Sequence, residues 1–346
     1  MKSDISRRQF LASTAAVTAA VAAGTTIAAA EHLVNLPSPA ARTNNNRMKI
    51  GLYTITYLGI WYEGEAMKLK DIMSHIKKQG WEGIELDTKR PHASPMDLSS
   101  DDRKELLDLV EKLDLPISAV SPNSDLSSHI PERREAIICY VRECIKLARD
   151  LGSPICKIFA AWPGVVVRDG LGHYEYTRNL PEPFPDWSGE RWDNVRESLK
   201  ELSKFAEDQG IILALQNHAP VTLDYKDVLK FIEEVDSPAL KACLDHAPVE
   251  AVKEAGSLLV HSHFNGEFRK ADDGRLRSTH ETGYGPYVNA LVASGYKGFM
   301  NWEFCHPAMK FGKRTGIEYV EEQTRLALQY MKGLRAEAEE RLSSSR

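Results

Sequence analysis

Acidic, amide and histidine side chains gather at the ends of short apolar runs in the second half of the chain. Four successive runs carry them: Gln216, Asn217 and His218; Asp245 and His246; His261 and His263; and Glu303, followed by His306. An earlier run ends in Glu85 and Asp87. Carboxylate and imidazole groups hold divalent cations and transfer protons, and packing alone does not explain four such run ends in succession. The pattern therefore predicts a catalytic or metal site.

The apolar runs are typical of parallel β-strands that are covered on both faces. Each is short, rich in Ile, Leu, Val or Phe, and lacks a clean polar alternation. The eight predicted strands are Lys49–Thr54, Gly83–Asp87, Ile117–Ser121, Cys156–Ala161, Ile211–Asn217, Lys241–His246, Leu258–Phe264 and Phe299–Phe304.

Longer amphipathic stretches separate the strands. The clearest follows Pro131, a residue suited to the first position of a helix. The others begin near Glu65, Ser99, Trp192, Lys226, Val249, Tyr284 and Gly316. Eight strands alternating with eight helices predict an α/β fold, a single-domain (β/α)8 TIM barrel, in which the polar strand ends meet at one face. A doubly wound sheet is less favoured, because residues 51–56 contain no glycine-rich phosphate loop.

The N-terminal segment reads as an export signal. Arg7 and Arg8 precede Phe10 and Leu11, a mildly apolar stretch follows, and Ala28–Ala30 supplies small residues for cleavage. This resembles a twin-arginine signal and implies a periplasmic location. We expect a signal peptide over residues 1–30 with cleavage after Ala30, a flexible lead-in over 31–47, and the barrel over 48–346.

Composition restricts the partners of the 346-residue chain. Its net charge is −5 and it has no basic run, which argues against nucleic acid and, once the signal is removed, against a membrane partner. A small carbohydrate is the expected ligand, and a homo-oligomer remains open. Five cysteines without a CxxC pair are read as buried small residues rather than disulfides.

One long loop, Pro163–Arg191, follows the fourth predicted strand and contains His173, Tyr174, Tyr176 and Trp187. A loop of this length is usually a lid or binding loop, and aromatic faces suit stacking on sugar rings. Packing at an oligomer interface is an equal alternative. Trp162, just before the loop, is a candidate substrate contact.

Taken in order, the motifs resemble the xylose isomerase-like barrel family of sugar isomerases and epimerases. Residues 213–218, LALQNH, are similar to the family's Leu-Glu-Asn-His segment, and 243–246, CLDH, to its sixth-strand motif. Residues 260–263, VHSH, resemble the seventh-strand motif, and 295–303, ending in Glu303, the final strand. Residues 80–86 fit the second strand. The resemblance spans about Met48 to Arg335.

The resemblance implies one divalent metal ion held by residues from strands five to eight. The ligands would be Gln216, Asp245, His263 and Glu303, with Mn²⁺ the first choice and Mg²⁺, Zn²⁺ or Co²⁺ as alternatives. Gln216 departs from the family, which has glutamate there. An amide oxygen can coordinate a cation but cannot accept a proton as a base. The change also leaves two carboxylates against a dication, so the site is neutral and a stronger Lewis acid.

Loss of that carboxylate leaves Glu303 as the one remaining carboxylate base of the family's pair. A histidine can both accept and return a proton near neutral pH, so His218, His246 or His261 is the expected catalytic partner. Glu85 and Asn217 are candidates for binding substrate hydroxyl groups. Glu85 and Asp87 could instead form a salt bridge with Lys89 or Arg90.

Three functions follow from this pattern. The first is a metal-dependent isomerase or epimerase that acts on an unphosphorylated sugar or keto-sugar through an enediolate. The second is a lyase or hydratase on 3-keto-glycosides, favoured by Gln216 and by export. The third is a non-catalytic sugar-binding barrel.

Two further readings are disfavoured. An abasic-site endonuclease shares this barrel, but neither the charge nor the number of ligands supports it. A phosphate site at Arg269, Lys270, Arg275 and Arg277 is disfavoured because Asp272 and Asp273 lie among them.

Overall fold

A closed ring of eight parallel strands forms the centre of the computed structural model, which describes residues 47–175, 188–280 and 283–344. We name these strands β1 to β8 in chain order. They are Lys49–Tyr53, Gly83–Asp87, Ile117–Ser121, Ile155–Phe159, Ile212–Gln216, Leu240–Asp245, Leu259–Asn265 and Phe299–Glu303. Each strand pairs with its neighbours in sequence, and β8 pairs with β1 to close the ring. The predicted (β/α)8 barrel is confirmed.

A helix follows each strand and packs around the outside of the ring. These helices, α1 to α8, are Leu69–Gln79, Ser100–Leu113, Pro131–Asp150, Ser188–Asp208, Tyr225–Val235, Val249–Ala255, Gly285–Ala293 and Ile317–Ser344. Parallel strands need such crossover connections. Most helix starts predicted from the sequence lie within a few residues of the observed ones. The largest shifts of a helix start are in α1, which begins at Leu69 rather than near Glu65, and in α4, which begins at Ser188 rather than near Trp192.

Local sequence explains several of these elements. Pro131 opens α3, where its fixed φ suits the first helical position. Ser99 and Asp102 form a capping box at the start of α2, in which each side chain accepts a backbone N–H. In α5, Val228, Phe231 and Ile232 recur at helical spacing and are buried against the barrel. Each helix thus has an apolar side that covers the strands.

The interior of the barrel changes from apolar to polar along the strand direction. Ala119, Ile155, Ala214 and Cys243 form a small apolar cluster. The next inward residue on β4 is Lys157, because side chains alternate along a strand. Lys157 is wholly buried, as are Glu85 on β2, His261 and His263 on β7, and Asn301 on β8. A buried polar layer therefore lies between the apolar cluster and the carboxyl ends of the strands.

Several predictions from the sequence concern residues that the structure does not describe. The signal peptide, nearly all of the lead-in, and Tyr176 and Trp187 of the long loop lie outside them. No cysteine in the described part is disulfide-bonded, and Cys144, Cys156 and Cys243 are buried as expected, but Cys139 is exposed. Among the helices described, none combines the length and apolar character needed to cross a bilayer.

Candidate active site

A cavity of about 460 Å³ opens where the strands end. Residues from the last position of six strands line it, together with side chains from the loops that follow. The strand-end residues are Tyr53, Phe159, Gln216, Asp245, Asn265 and Glu303. The cavity thus occupies the face at which barrel enzymes carry their active sites.

Four of the predicted metal ligands come together at the floor of this cavity. Gln216, Asp245 and Glu303 line it. Asp245 and His263 are paired residues in the β6–β7 ladder, and His263 Nδ1 lies 3.8 Å from Glu303 Oε2. Within the described residues, Gln216 Oε1 and His263 Nδ1 are buried without a hydrogen-bond partner. Buried acceptors that lack a donor need a cation or a ligand to satisfy them.

The electrostatics of this group also favour a cation. Burial raises the pKa of Glu303 to about 7, and the charge of Asp245 adds to the rise, while His263 opposes it. Two carboxylates, an amide oxygen and an imidazole nitrogen are donors that Mn²⁺ or Mg²⁺ accepts. A bound cation would relieve the repulsion between Asp245 and Glu303. The residues present therefore fit one divalent metal ion.

Glu85 lies beneath these ligands and is the most heavily hydrogen-bonded carboxylate of the barrel interior. Its Oε2 accepts from His261 Nε2, His263 Nε2 and Asn301 Nδ2, each at 2.8 Å. Its Oε1 accepts from Ser121 Oγ at 2.5 Å. Burial alone would raise the pKa of Glu85, but the adjacent His263 and His261 hold it well below its usual range. Glu85 is therefore an ionised, buried acceptor.

Ionised Glu85 decides which nitrogen of His263 is available. Because Nε2 donates its hydrogen to Glu85, the neutral ring carries its lone pair on Nδ1, which faces Glu303. Metal-bound histidines are commonly oriented by such a carboxylate on the far nitrogen. Gly51 leaves room for this arrangement, since a Cβ there would lie 2.0 Å from Asn301 Oδ1. We infer that Glu85 positions His263.

A second group of possible ligands, Glu85, His261 and His263, has donor atoms close enough together to surround an ion. There, however, Glu85 Oε2 is hydrogen-bonded directly to both imidazoles. None of the three side chains lines the cavity, so an ion among them would have no open position for substrate. Gln216, Asp245 and Glu303, by contrast, line the cavity, where an ion would have such a position.

The structure keeps two predicted site residues away from the cavity. Glu85, expected to bind a substrate hydroxyl, and His261, expected to transfer protons, are both wholly buried below it. Both side chains point into the barrel, as the strand-end residues do, but each lies two or more residues before the end of its strand and is therefore deeper in the barrel. The alternative salt bridge is formed by Asp87, whose Oδ2 lies 2.5 Å from Lys89 Nζ.

Asn217 and His246 are also placed differently from their predicted roles. The side chain of Asn217 donates to Asp245 O and accepts from Asp245 N, both at 2.8 Å. Its amide is thus used to hold the backbone of Asp245 rather than a sugar. His246 is exposed, its ring centre lies 4.6 Å from that of His280, and it is not among the residues that line the cavity.

His218 and Trp162 do line the cavity, as expected. Their rings lie 4.5 Å apart. His218 Nδ1 is 2.6 Å from Ala219 O, an acceptor, so Nδ1 carries the hydrogen and Nε2 is the basic nitrogen of the neutral ring. Tyr174 of the long loop lies between Trp162 and Trp61, with ring centres 5.6 Å from each. The described part of this loop therefore forms an aromatic wall of the cavity.

Three residues near the site were missed from the sequence. Asn265 donates to Asp245 Oδ1 at 3.5 Å and accepts from His280 Nε2 at 2.6 Å, and both line the cavity. Asn265 had a signal, since it follows His263 by two residues and so shares its face of the strand. Lys157 also had one, as a charged residue inside an apolar run. His280 comes from a loop and had none.

The basic loop after β7 lies away from the cavity. Arg277 pairs with Asp273 at 2.8 Å, and none of Arg269, Lys270, Arg275 and Arg277 lines the cavity. That the loop holds no phosphate stays a prediction.

Comparison with known proteins gives a consistent set of similarities. The xylose isomerase-like TIM barrel family model matches residues 73–334. A model of twin-arginine translocation signal sequences matches residues 4–24, which indicates export by that route. Fructoselysine 3-epimerase of Shigella flexneri is 22% identical over 274 residues, covering 74% of this chain and 90% of that protein.

Solved structures share the fold at low identity. D-psicose 3-epimerase of Clostridium cellulolyticum H10 is 19% identical, with a TM-score of 0.62 over 83% of this chain and 99% of that one. 3-Keto-D-glucoside 4-epimerase of E. coli is 17% identical, with a TM-score of 0.60 over 83% of this chain and 100% of that one.

Replacing Glu85 with glutamine tests its place in the network. Glu85→Gln removes the charge that two buried imidazoles share, so we expect the free energy of unfolding at pH 7 to fall by about 3 kcal/mol. Because the Glu85 pKa is depressed in the folded state, its stabilisation is present above about pH 4.3 and is lost as the pH falls below it. The glutamine variant should therefore lose less stability than wild type as the pH falls below this value. Urea unfolding at several pH values measures the free energy of unfolding at pH 7 and its dependence on pH.

Glu105→Gln is the matched control, because Glu105 pairs with Lys70 on the exposed surface and its loss should change stability little. Equal, small effects of the two substitutions would contradict the network.

Proposed function

This chain belongs to the xylose isomerase-like TIM barrel family, and on that premise we propose that it is a metal-dependent enzyme that enolises an unphosphorylated sugar or keto-sugar. One observation carries the proposal: Gln216 Oε1 and His263 Nδ1 are buried without partners, in one group with the carboxylates of Asp245 and Glu303, at the floor of a cavity of about 460 Å³. Named relatives that are 3- or 4-epimerases support the substrate class.

The residues that would hold the cation are Gln216, Asp245, His263 and Glu303. When bound, a divalent cation supplies Lewis acidity that stabilises negative charge on neighbouring substrate oxygens. Gln216 gives it one negative neighbour fewer than a glutamate would, which favours that charge stabilisation. Mn²⁺ is the metal we would supply first.

Glu303 is the base in this mechanism. Its carboxylate takes the proton from the carbon next to the substrate carbonyl, and the electron pair left behind forms an enediolate. Burial raises the pKa of the Glu303 carboxyl, and a bound cation would lower it. Returning the proton to the neighbouring carbon gives an isomer.

His218 is the partner that an epimerisation requires. Of the three histidines considered from the sequence, it is the one that lines the cavity. It follows β5, three strands around the ring from Glu303, so the two groups approach the substrate from different sides. Protonation of the enediolate by a protonated His218 on the second face gives the epimer. Trp162 and Tyr174 supply an aromatic wall for the sugar ring.

Elimination from a 3-keto-glycoside is the second candidate, and Gln216 favours it. A single carboxylate base is sufficient to remove a proton next to a ketone and expel a group from the following carbon, whereas a two-carboxylate epimerisation is not available here. A loss of catalysis with retained sugar binding is the third candidate.

The export signal fits an unphosphorylated substrate. We place the mature enzyme in the periplasm, with cleavage after Ala30 and a barrel domain from about residue 48. N-terminal sequencing of the exported protein tests the cleavage site, and a start elsewhere would contradict it.

Proton NMR in D2O tests the function directly. Mature protein loaded with Mn²⁺ is incubated with free ketoses and with 3-keto-glucosides, and the Mn²⁺ is removed by chelation before spectra are recorded. Loss of a carbon-bound proton together with a rearranged sugar is the expected result. Release of an aglycone or appearance of an enone would assign the lyase instead. If the protein holds no divalent ion and exchanges no proton, the proposal of a metal-dependent enzyme is wrong and the non-catalytic sugar-binding function remains.

Glu303→Gln tests the base. We expect deuterium exchange to fall by about 10³-fold, because the amide cannot accept the proton, while the fold stays intact by circular dichroism. His218→Asn should retain exchange at the carbon but lose the inverted product. His246→Asn is the control and should behave as wild type, since His246 does not line the cavity. Exchange that survives in Glu303→Gln would exclude this residue as the base.

A further inference from the structure

Lys157 is a buried cation that the mechanism above does not use. Its side chain is wholly inaccessible, and Nζ has no hydrogen-bond acceptor among the described residues. The carboxylate paired with it is that of Glu85, whose Oε1 lies 3.9 Å away. Nζ is also 4.0 Å from the ring centre of Phe159 and 5.0 Å from that of Tyr53. Both rings line the cavity, so the ammonium group lies just beneath its floor.

Stability does not explain this lysine. Removing an ammonium group from water costs several kcal/mol unless hydrogen bonds replace its hydration. Contacts with two aromatic rings return part of that cost. An apolar side chain of the same length would fill the space between Phe159 and Tyr53 without the cost. Buried charges held in this way are concentrated at functional sites.

The positive charge of Lys157 balances the negative charge of Glu85, because the other side chains around Glu85 are neutral. Ser121 and Asn301, which donate to Glu85, are neutral. If His263 Nδ1 holds a cation, that ring is neutral too, with its Nε2 hydrogen still on Glu85. His261 Nε2 also donates to Glu85, and its Nδ1 is buried with no hydrogen-bond acceptor among the described residues, which suits a neutral ring that carries its hydrogen on Nε2. Lys157 then remains as the positive charge that balances Glu85.

Without that balance, the negative charge of Glu85 would add to those of Asp245 and Glu303 around the metal. Lys157 and Gln216 therefore act in the same direction, because each removes one negative charge from the surroundings of the cation. Fewer negative charges weaken the hold on a cation and strengthen its attraction for negative charge on the substrate.

We propose that Lys157 acts through its charge and keeps the surroundings of the metal site less negative. The site then binds the cation more weakly, and the bound cation stabilises the enediolate more strongly. Lys157 does not touch the substrate. Its effect on cation affinity is independent of the reaction, and its effect on rate rests on the function proposed above.

Lys157→Met separates the two effects, because methionine retains the apolar stem and removes the charge. The dissociation constant for Mn²⁺ is measured by competition with a chromophoric chelator, and deuterium exchange by NMR. We expect Mn²⁺ to bind about tenfold more tightly and kcat for exchange to fall about tenfold or more. KM should change little. Lys157→Gln is neutral and polar, and it should change the Mn²⁺ dissociation constant and kcat in the same directions. It replaces the methionine variant if that variant does not fold.

Lys49→Met is the matched control. Lys49 is also a buried lysine on a barrel strand, near the ring of Phe299 at the opposite end of the strands, and its loss should leave Mn²⁺ affinity and exchange unchanged. Unchanged or weaker Mn²⁺ binding in both Lys157 variants would overturn the proposal, because a merely structural lysine does not tighten cation binding when removed. If wild type exchanges no proton with any sugar, the proposed function fails, and the Mn²⁺ measurement still decides the role of Lys157.

Discussion

The hydrogen bonds to Glu85 in the centre of the barrel are the constraint on which the candidate site depends. A buried carboxylate without partners would be costly, and Glu85 is tolerated because four donors converge on its two oxygens. The same bonds fix the ring of His263 and turn its Nδ1 toward Glu303. Gly51 gives Asn301 the space to complete the set. The geometry of the cavity floor therefore follows from a group that does not line it.

Charge is distributed around this centre in a consistent way. Acidic groups occur at the ends of β6 and β8, where Asp245 and Glu303 face the cavity. The amide of Gln216 at the end of β5 and the ammonium group of Lys157 inside β4 moderate them. Asn217 and Asn265 then hold Asp245 from two sides, one through its backbone and one through its carboxylate. Such supporting contacts set the orientation of metal ligands as much as the ligands themselves do.

The fold and the chemical character of the site were predictable from sequence, because they depend on periodicity and on residue type at strand ends. Apolar runs without alternation gave the eight strands, and strand ends gave Gln216, Asp245 and Glu303. The failures concern depth within the barrel. Glu85 and His261 were taken for cavity residues, although each lies two or more residues before the end of its strand and is buried below the cavity. Lys157 was passed over because a single lysine in an apolar run carries no partner in the sequence, and His280 because a loop residue has no periodic position.

The proposed function requires one divalent ion between Gln216, Asp245, His263 and Glu303, with Glu85 as a supporting carboxylate outside its coordination shell. Anomalous X-ray scattering from crystals of the mature protein grown with Mn²⁺ locates the ion directly. The account predicts a single strong peak at the cavity floor, within about 2.0–2.4 Å of His263 Nδ1 and of oxygens of Asp245 and Glu303. A peak between Glu85, His261 and His263, or no bound ion at all, would contradict it.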